Sequence, residues 1–346
     1  MYPNDNILAQ QEDINTTGYL EFAAVDTQIR RGLQYDRIYM LVEEEKKEPG
    51  QYKSMSQKRY PMMALLRQTI DDKDVNLAKT LTVTDSNTED QIKLPLVPDV
   101  SELAQIKTTM PFYPRPLMVW DMGDEPAAFF SRFMRRPCRV VYRNPTREVY
   151  GPQPETGYRF TNALFNWVWP RKYFTNLVDA APLHIITEES LKKLTLMNGG
   201  LEVTPTRFRP NIMLSGCKAW DEETWKMIEV ENVGQIAMTS RCPRCGVPDV
   251  DEATGKKDPL NRPGTLLQKF HTTDPSLKWG SRPMFGMWAI NLFSGQVIST
   301  GTKHPAEVGD STRNQIEKHG GHLGGTRDVN IERGVSRLVL HRINYE

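Results

Sequence analysis

Short apolar runs bounded by turn residues dominate the first 145 residues. Tyr19-Leu20-Glu21-Phe22, Ile38-Tyr39-Met40-Leu41-Val42 and Arg139-Val140-Val141-Tyr142 have strand length and β-forming composition, so each predicts a strand. The lysine- and glutamate-rich stretch from Glu43 to Lys53 predicts an exposed hairpin loop. A helix is predicted over Glu125 to Arg135, with Pro126 in its first turn and Ala127, Phe130 and Phe133 at helical spacing. Crowded aromatics and prolines over 151–175 predict an ordered loop packed on a surface. A second unit opens with the buried-strand pattern Pro182-Leu183-His184-Ile185-Ile186 and runs into a helix from Thr187 to Leu194. Thr187 is a good N-cap there, with acids in the first turn and lysines after them. Ile212 to Leu214, Trp220 to Trp225, Gln235 to Met238 and Met287 to Leu292 then predict short strands of a second barrel or sandwich. The whole is β-rich α+β. Residues 1–17 read as a polar arm, and the polar, glycine-containing tail 311–346 is expected to be appended to the second unit.

Composition narrows the function classes. A chain of 346 residues is long enough for two cores. With 44 basic and 43 acidic side chains the net charge is +1, so no global field attracts nucleic acid or an anionic membrane. The basic cluster of Arg135, Arg136, Arg139 and Arg143 is assigned to a solvated face. Four cysteines do not make a disulfide scaffold and fit a reducing compartment. The polar, acid-bearing N-terminus is neither signal nor transit peptide, and no apolar run is long enough for a transmembrane anchor, so the expected location is cytoplasmic.

Four segments are candidates for chemistry. In Arg241-Cys242-Pro243-Arg244-Cys245, guanidinium groups stand beside thiols, an arrangement that favours thiolates. Buried small residues, half of a zinc site, a redox pair and a single thiolate ligand to a cofactor metal all remain open; the second ligand pair for zinc is missing, and Gly246-Val247-Pro248 breaks the helix a redox pair would open. Arg207-Phe208-Arg209-Pro210-Asn211 offers forks for phosphate or carboxylate before a strand, or else a loop paired with Glu188, Glu189 or Glu202. Thr187 starts a helix whose free amides attract anions, a property of any capped helix. Asp249-Val250-Asp251-Glu252 lacks the spacing of a calcium loop and reads as a turn in which Asp251 caps amides.

In their order along the chain, these segments resemble the MOSC superfamily, and within it the amidoxime-reducing component and its bacterial relatives. Gly32-Leu33-Gln34-Tyr35-Asp36-Arg37 is similar to a G-L-x-x-D-R signature, and Ser56-Gln57-Lys58-Arg59-Tyr60-Pro61 to T-Q-R-x-x-P. Ile186 to Leu191 resembles the strand-to-helix element that opens the MOSC domain, and Arg207 to Asn211 the R-F-R-P-N signature. Cys242 to Cys245 with Val250-Asp251 and Thr254-Gly255 resembles C-x-R-C followed by V-D-x-x-T-G, and Phe285-Gly286 and Val308-Gly309-Asp310 the closing strands. The resemblance implies a MOSC-associated β-barrel-like domain over 18–150 and a MOSC β-barrel domain over 151–310. It implies a molybdenum cofactor (molybdopterin) with Cys245 as metal ligand and catalytic residue, held by Arg37, Thr187, Arg209 and Asn211 with Arg241 and Arg244 close by. The activity it implies is reduction of N-hydroxylated or similar small molecules, with electrons from a haem protein and a flavin reductase. Three departures stand out. Asn15 to Gly18 stands where relatives carry a lysine-bearing motif, Lys58 replaces an arginine, and Pro248 and Asp249 replace threonines. The missing lysine is consistent with the alternative, a non-catalytic or degenerate cofactor-binding or carrier module.

Overall fold

The computed structural model describes residues 32–72, 77–111, 116–144, 176–178, 181–230, 233–272, 281–293 and 298, together with the backbone of seven short strands outside them. Residues 1–17 lie outside that set, as does 151–175 apart from the backbone of Tyr173–Phe174.

The first unit is a closed barrel. Strand Tyr39–Glu44 turns back on Gln51–Ser54, which runs parallel to Gln105–Thr109. That strand pairs with Leu117–Asp121, which pairs with Arg139–Tyr142, which returns to Tyr39–Glu44 with Val42 opposite Arg139. Alternation within the first strand explains its unbroken apolar run. Met40 and Val42 join Leu117, Val119 and Val141 in one cluster, while Tyr39 and Leu41 join a second. With both faces covered, a strand has no solvent side to make polar. The second cluster is covered by helix Asp124–Met134, through Phe129, Phe130 and Phe133, and by the three-stranded sheet Leu66–Ile70, Thr80–Asp85, Gln91–Pro95. The helix agrees with its prediction to one residue at each end and stops at Arg135, which adopts the left-handed conformation. Nearby basic residues are paired, Arg136 with Glu43 at 3.0 Å and Arg139 with Asp121 and Asp124.

The second unit is a curled eight-stranded sheet. At its centre Leu183–Thr187 lies parallel to Ile212–Ser215 and antiparallel to Met284–Asn291, which pairs with Gly234–Pro243 and through it with Trp225–Val230. Helix Glu188–Met197 packs Leu191 and Leu194 against one face, together with Phe208, Phe285 and Leu267. Two expectations change here, and one element is added. The predicted Trp220–Trp225 strand is a 3-10 helix, Asp221–Thr224, with the strand beginning only at Trp225; Trp220 is left-handed and the Asp221 carboxylate accepts from the Lys218 amide, which curls the chain. A short helix, Gly264–Phe270, was not anticipated, because its first amide is bonded by the distant Asp249. Within the tail, Ser336–Val339 pairs with Ile212–Ser215, so these four residues belong to the sheet rather than to an appendage.

The Gly32–Arg37 segment stitches the two units together. Leu33 belongs to the second core and Tyr35 touches both. Gly32 has φ +87 and a Cβ there would sit 2.4 Å from the Pro182 carbonyl oxygen, so only glycine permits the approach. Among the described residues no helix is long and apolar enough to cross a membrane.

Candidate functional site

The strand Gly234–Pro243 ends at the Cys-Pro-Arg-Cys segment, and its two cysteines face opposite environments. Cys242 is buried against Ala181 and Trp288, whereas Cys245 is exposed. Cys245 opens on a cavity of ≈ 450 Å³ whose wall includes Lys58, Asp249, Asn261, Gln268 and Arg282. Lys58 comes from the barrel and the others from the second unit, so the cavity lies where the units meet.

Arg244 turns inward. It donates to Cys242 Sγ at 3.0 Å and to the Phe208 carbonyl at 3.0 Å, and its guanidinium carbon lies 5.2 Å from the Phe208 ring centre. Its backbone amide donates to the Pro283 carbonyl at 2.8 Å. A third contact runs to His184, whose Nε2 is 3.4 Å from Arg244 Nη1 and 3.2 Å from the Phe285 carbonyl oxygen. Burial, reinforced by the Arg244 charge, pushes the His184 pKa down to about 3, so the ring is neutral. Gly286 makes room for it: φ is +72, and a Cβ there would lie 2.6 Å from His184 Nε2. Arg244 therefore braces the Cys245 turn against the strand Leu183–Thr187 and the 3-10 helix Pro205–Phe208.

Asn211 is also committed internally. Its Oδ1 accepts from the His184 amide at 2.8 Å, and its Nδ2 donates to Asp36 Oδ2 at 3.0 Å. Arg37 lies beside Asp36 at 3.8 Å and donates to the Arg209 carbonyl at 3.4 Å. Arg37 and Arg209 both have positive φ, 49° and 56°. Arg37, Arg209 and Asn211 are thus gathered at the junction of the units. Burial raises the Asp36 pKa, and Arg37 and Asn211 work against that shift.

Thr187 and Arg241 sit in separate networks. The Thr187 hydroxyl accepts from the Ser190 amide at 3.2 Å and lies 2.9 Å from Glu222 Oε2, so the helix N-terminus already has a carboxylate of this chain beside it. Glu222 is fully buried, and burial raises its pKa to about 7. Arg241 pairs with Glu223 at 2.9 Å, and Glu223 with His271 at 2.6 Å; Trp220 stacks on the His271 ring.

The turn after Cys245 is held by its acids. Asp251 accepts from the Thr254 amide at 2.9 Å, the turn-capping role expected of it. Arg207 pairs with Asp251 at 3.7 Å rather than with Glu188, Glu189 or Glu202. Asp249 is 4% exposed, lines the cavity, and accepts from the Gly264 amide at 2.8 Å. His184, Asn261, Gln268 and Arg282 were not singled out from the sequence. Each lies within an ordinary strand, helix or loop pattern and gains its meaning only from what folds beside it.

Comparison with known proteins bears on the same segment. Residues 172–313 match the MOSC domain family. The mitochondrial amidoxime reducing component 2 of Rattus norvegicus is 33% identical over 175 residues, 49% of this chain and 47% of that protein. The mitochondrial amidoxime-reducing component 1 of Mus musculus is 28% identical over 269 residues, covering 75% of this chain and 69% of the mouse protein. The molybdenum cofactor sulfurase of Homo sapiens is 25% identical over 233 residues, 66% of this chain but 24% of its own length. The match to the rat protein therefore spans about half of it.

Proposed function

We propose that this chain, a MOSC-domain protein over residues 172–313, binds a molybdenum cofactor through Cys245 and reduces N-hydroxylated or similar N–O and oxo compounds. The observation that carries this reading is an exposed thiol opening on a cavity that also receives Lys58 and Arg282. Among the described residues no three His, Cys, Asp or Glu side chains converge on a metal position. A soft metal at Cys245 would then take its remaining ligands from an organic cofactor, and a dithiolene pterin provides them. Cationic side chains suit the phosphate of such a group, so the residues present fit it. Lys58 and Arg282 would face it across the cavity, and Arg37 and Arg209 belong to the same proposal at the unit junction. Thr187, Asn211 and Arg244 are bonded within the chain, which supports a part for them in fixing the frame around the group.

When bound, the cofactor supplies two-electron, oxygen-removing chemistry. The chain's own contribution is positional. Arg244 holds the Cys245 turn through three fixed partners, and Gly286 admits the neutral His184 ring behind it. The same proposal includes small-molecule substrates, a haem protein with a flavin reductase as electron source, and a cytoplasmic location.

The test is elemental and pterin analysis of protein made in a cofactor-competent host. Wild type is expected to carry molybdenum and Cys245→Ala to carry less than about a tenth as much. Equal loading of the two would remove Cys245 from the metal. Turnover of a benzamidoxime with an artificial electron donor then decides the activity; loaded protein without turnover would favour the carrier reading, which the absent N-terminal lysine motif also supports.

A further inference from the structure

We propose that Asp249 is the proton-donating residue of the cavity beside Cys245. The inference rests on the reductase reading above and adds to it the group that handles protons.

Asp249 stands four residues after Cys245 in the chain and lines the same cavity. Its Oδ1 is tied to the Gly264 amide at 2.8 Å, which fixes the carboxyl plane. Its Oδ2 makes no hydrogen bond among the described residues; a Cβ at Gly246 would lie 3.4 Å from it and 3.6 Å from Lys257 Nζ. The charged groups facing the carboxyl are Lys257 and Asp258 from the hairpin and its exit, and Arg207 from the 3-10 helix; Lys58, Arg282 and Cys245 share the cavity wall. Burial outweighs the cations and raises the pKa, so Asp249 holds its proton at higher pH than an exposed aspartate. An acid that lines the cavity, is fixed at one oxygen, unbonded at the other and reluctant to ionise has the properties of a general acid.

The step balances as follows. Reduction of an N-hydroxylated compound needs two electrons, which the bound reduced cofactor would supply, and two protons. The N–O bond breaks and its electron pair leaves with oxygen. Asp249 gives one proton to that oxygen, which departs as water; the second proton comes from solvent and ends on nitrogen. The aspartate then regains its proton from water at the cavity mouth.

Asp249→Asn keeps an acceptor for the Gly264 amide and removes the proton. The variant is expected to load molybdenum like wild type and to hold KM within about threefold, while kcat falls by about 10²-fold or more. In wild type, kcat should decline as pH rises through the Asp249 pKa, and the variant should lack that limb. Unchanged kcat and pH profile in a loaded variant would overturn the proposal and leave the reductase reading intact. Absence of molybdenum from wild type would instead remove the reading itself. A second measurement needs neither metal nor turnover: carbon NMR of the Asp249 carboxyl in metal-free protein, assigned by its loss in the asparagine variant. It should titrate above the ordinary value of 3.8. Titration at or below that value would overturn the proposal even where no substrate is turned over.

Discussion

Two buried carboxyl groups sit beside helix N-termini in the second unit, and their surroundings divide their roles. Glu222 lies against helix Glu188–Met197, where its Oε2 is within 3.0 Å of both the Thr187 and Ser190 hydroxyls. It is sealed: exposure is 0%, and Oε1 has no hydrogen-bond partner among the described residues. Asp249 lies against helix Gly264–Phe270 but lines a cavity. Burial raises the pKa of both. In the enclosed group that shift acts on stability alone. In the open group it also sets when a proton is available to a bound molecule. Enclosure, rather than residue type or position at a helix, separates a structural acid from a chemical one.

The largest effect should come from emptying the sealed site. Glu222→Ala leaves two buried hydroxyls and the Trp220 amide network around a void, and should cost about 4 kcal/mol in urea unfolding. A loss under about 1 kcal/mol would mean that the site is not sealed. The next effect is on pH. The Glu222 pKa is about 7 in the folded chain against an ordinary 4.5, so folding binds its proton more tightly. The stability it lends is complete below pH 4.5 and is lost as pH rises through 7, a change of roughly 3 kcal/mol. His184 acts in the opposite sense, with a folded value of about 3 against 6.5, so its contribution is complete above pH 6.5 and fades as pH falls toward 3. Comparing wild type with Glu222→Gln isolates the first slope, because His184 is common to both. The stability difference should drift toward the variant as pH rises from 4.5 past 7, and a pH-independent difference would remove Glu222 as the cause. The smallest effect falls on the open site. In Gly264→Ala the new Cβ would stand 2.6 Å from Asp249 Oδ1, so the carboxyl must rotate away from its amide. About 1–2 kcal/mol of stability should be lost, with a proportionally larger fall in turnover than in melting temperature. Equal retention of both would show that Asp249 does not need its anchor.

Much of this arrangement is written locally. The spacing of Ala127, Phe130 and Phe133 carries the helix of the first unit, and the pattern from Leu183 through Thr187 into Glu188 carries the strand and helix of the second. Ordered motifs bring Arg37, Arg209 and Asn211 to one junction. What local pattern does not encode is direction. Arg244 and Cys245 are neighbours in a turn, yet one points into the core and the other into solvent, because Cys242, His184 and the Phe208 carbonyl together draw the guanidinium inward. Lys58 reaches the cavity across a gap of 187 positions to Cys245; its motif marks the residue but not the partner it meets. The Trp220–Trp225 segment misleads for a related reason: its apolar ends suit a strand, while the acids between them are needed to close a turn and to line the helix start.

Gly255 has a consequence beyond its own turn. Its φ is +60, and a Cβ there would lie 2.9 Å from Leu65 and 3.2 Å from the Met62 backbone of the first unit. The hairpin that follows Cys245 is therefore cast against the first unit as against a mould, with no side chain of its own at the point of contact. Grafting the second unit onto a foreign partner would remove that mould, and the cavity would have to be rebuilt along with the joint. For anyone recombining such chains, the smallest portable part is the pair.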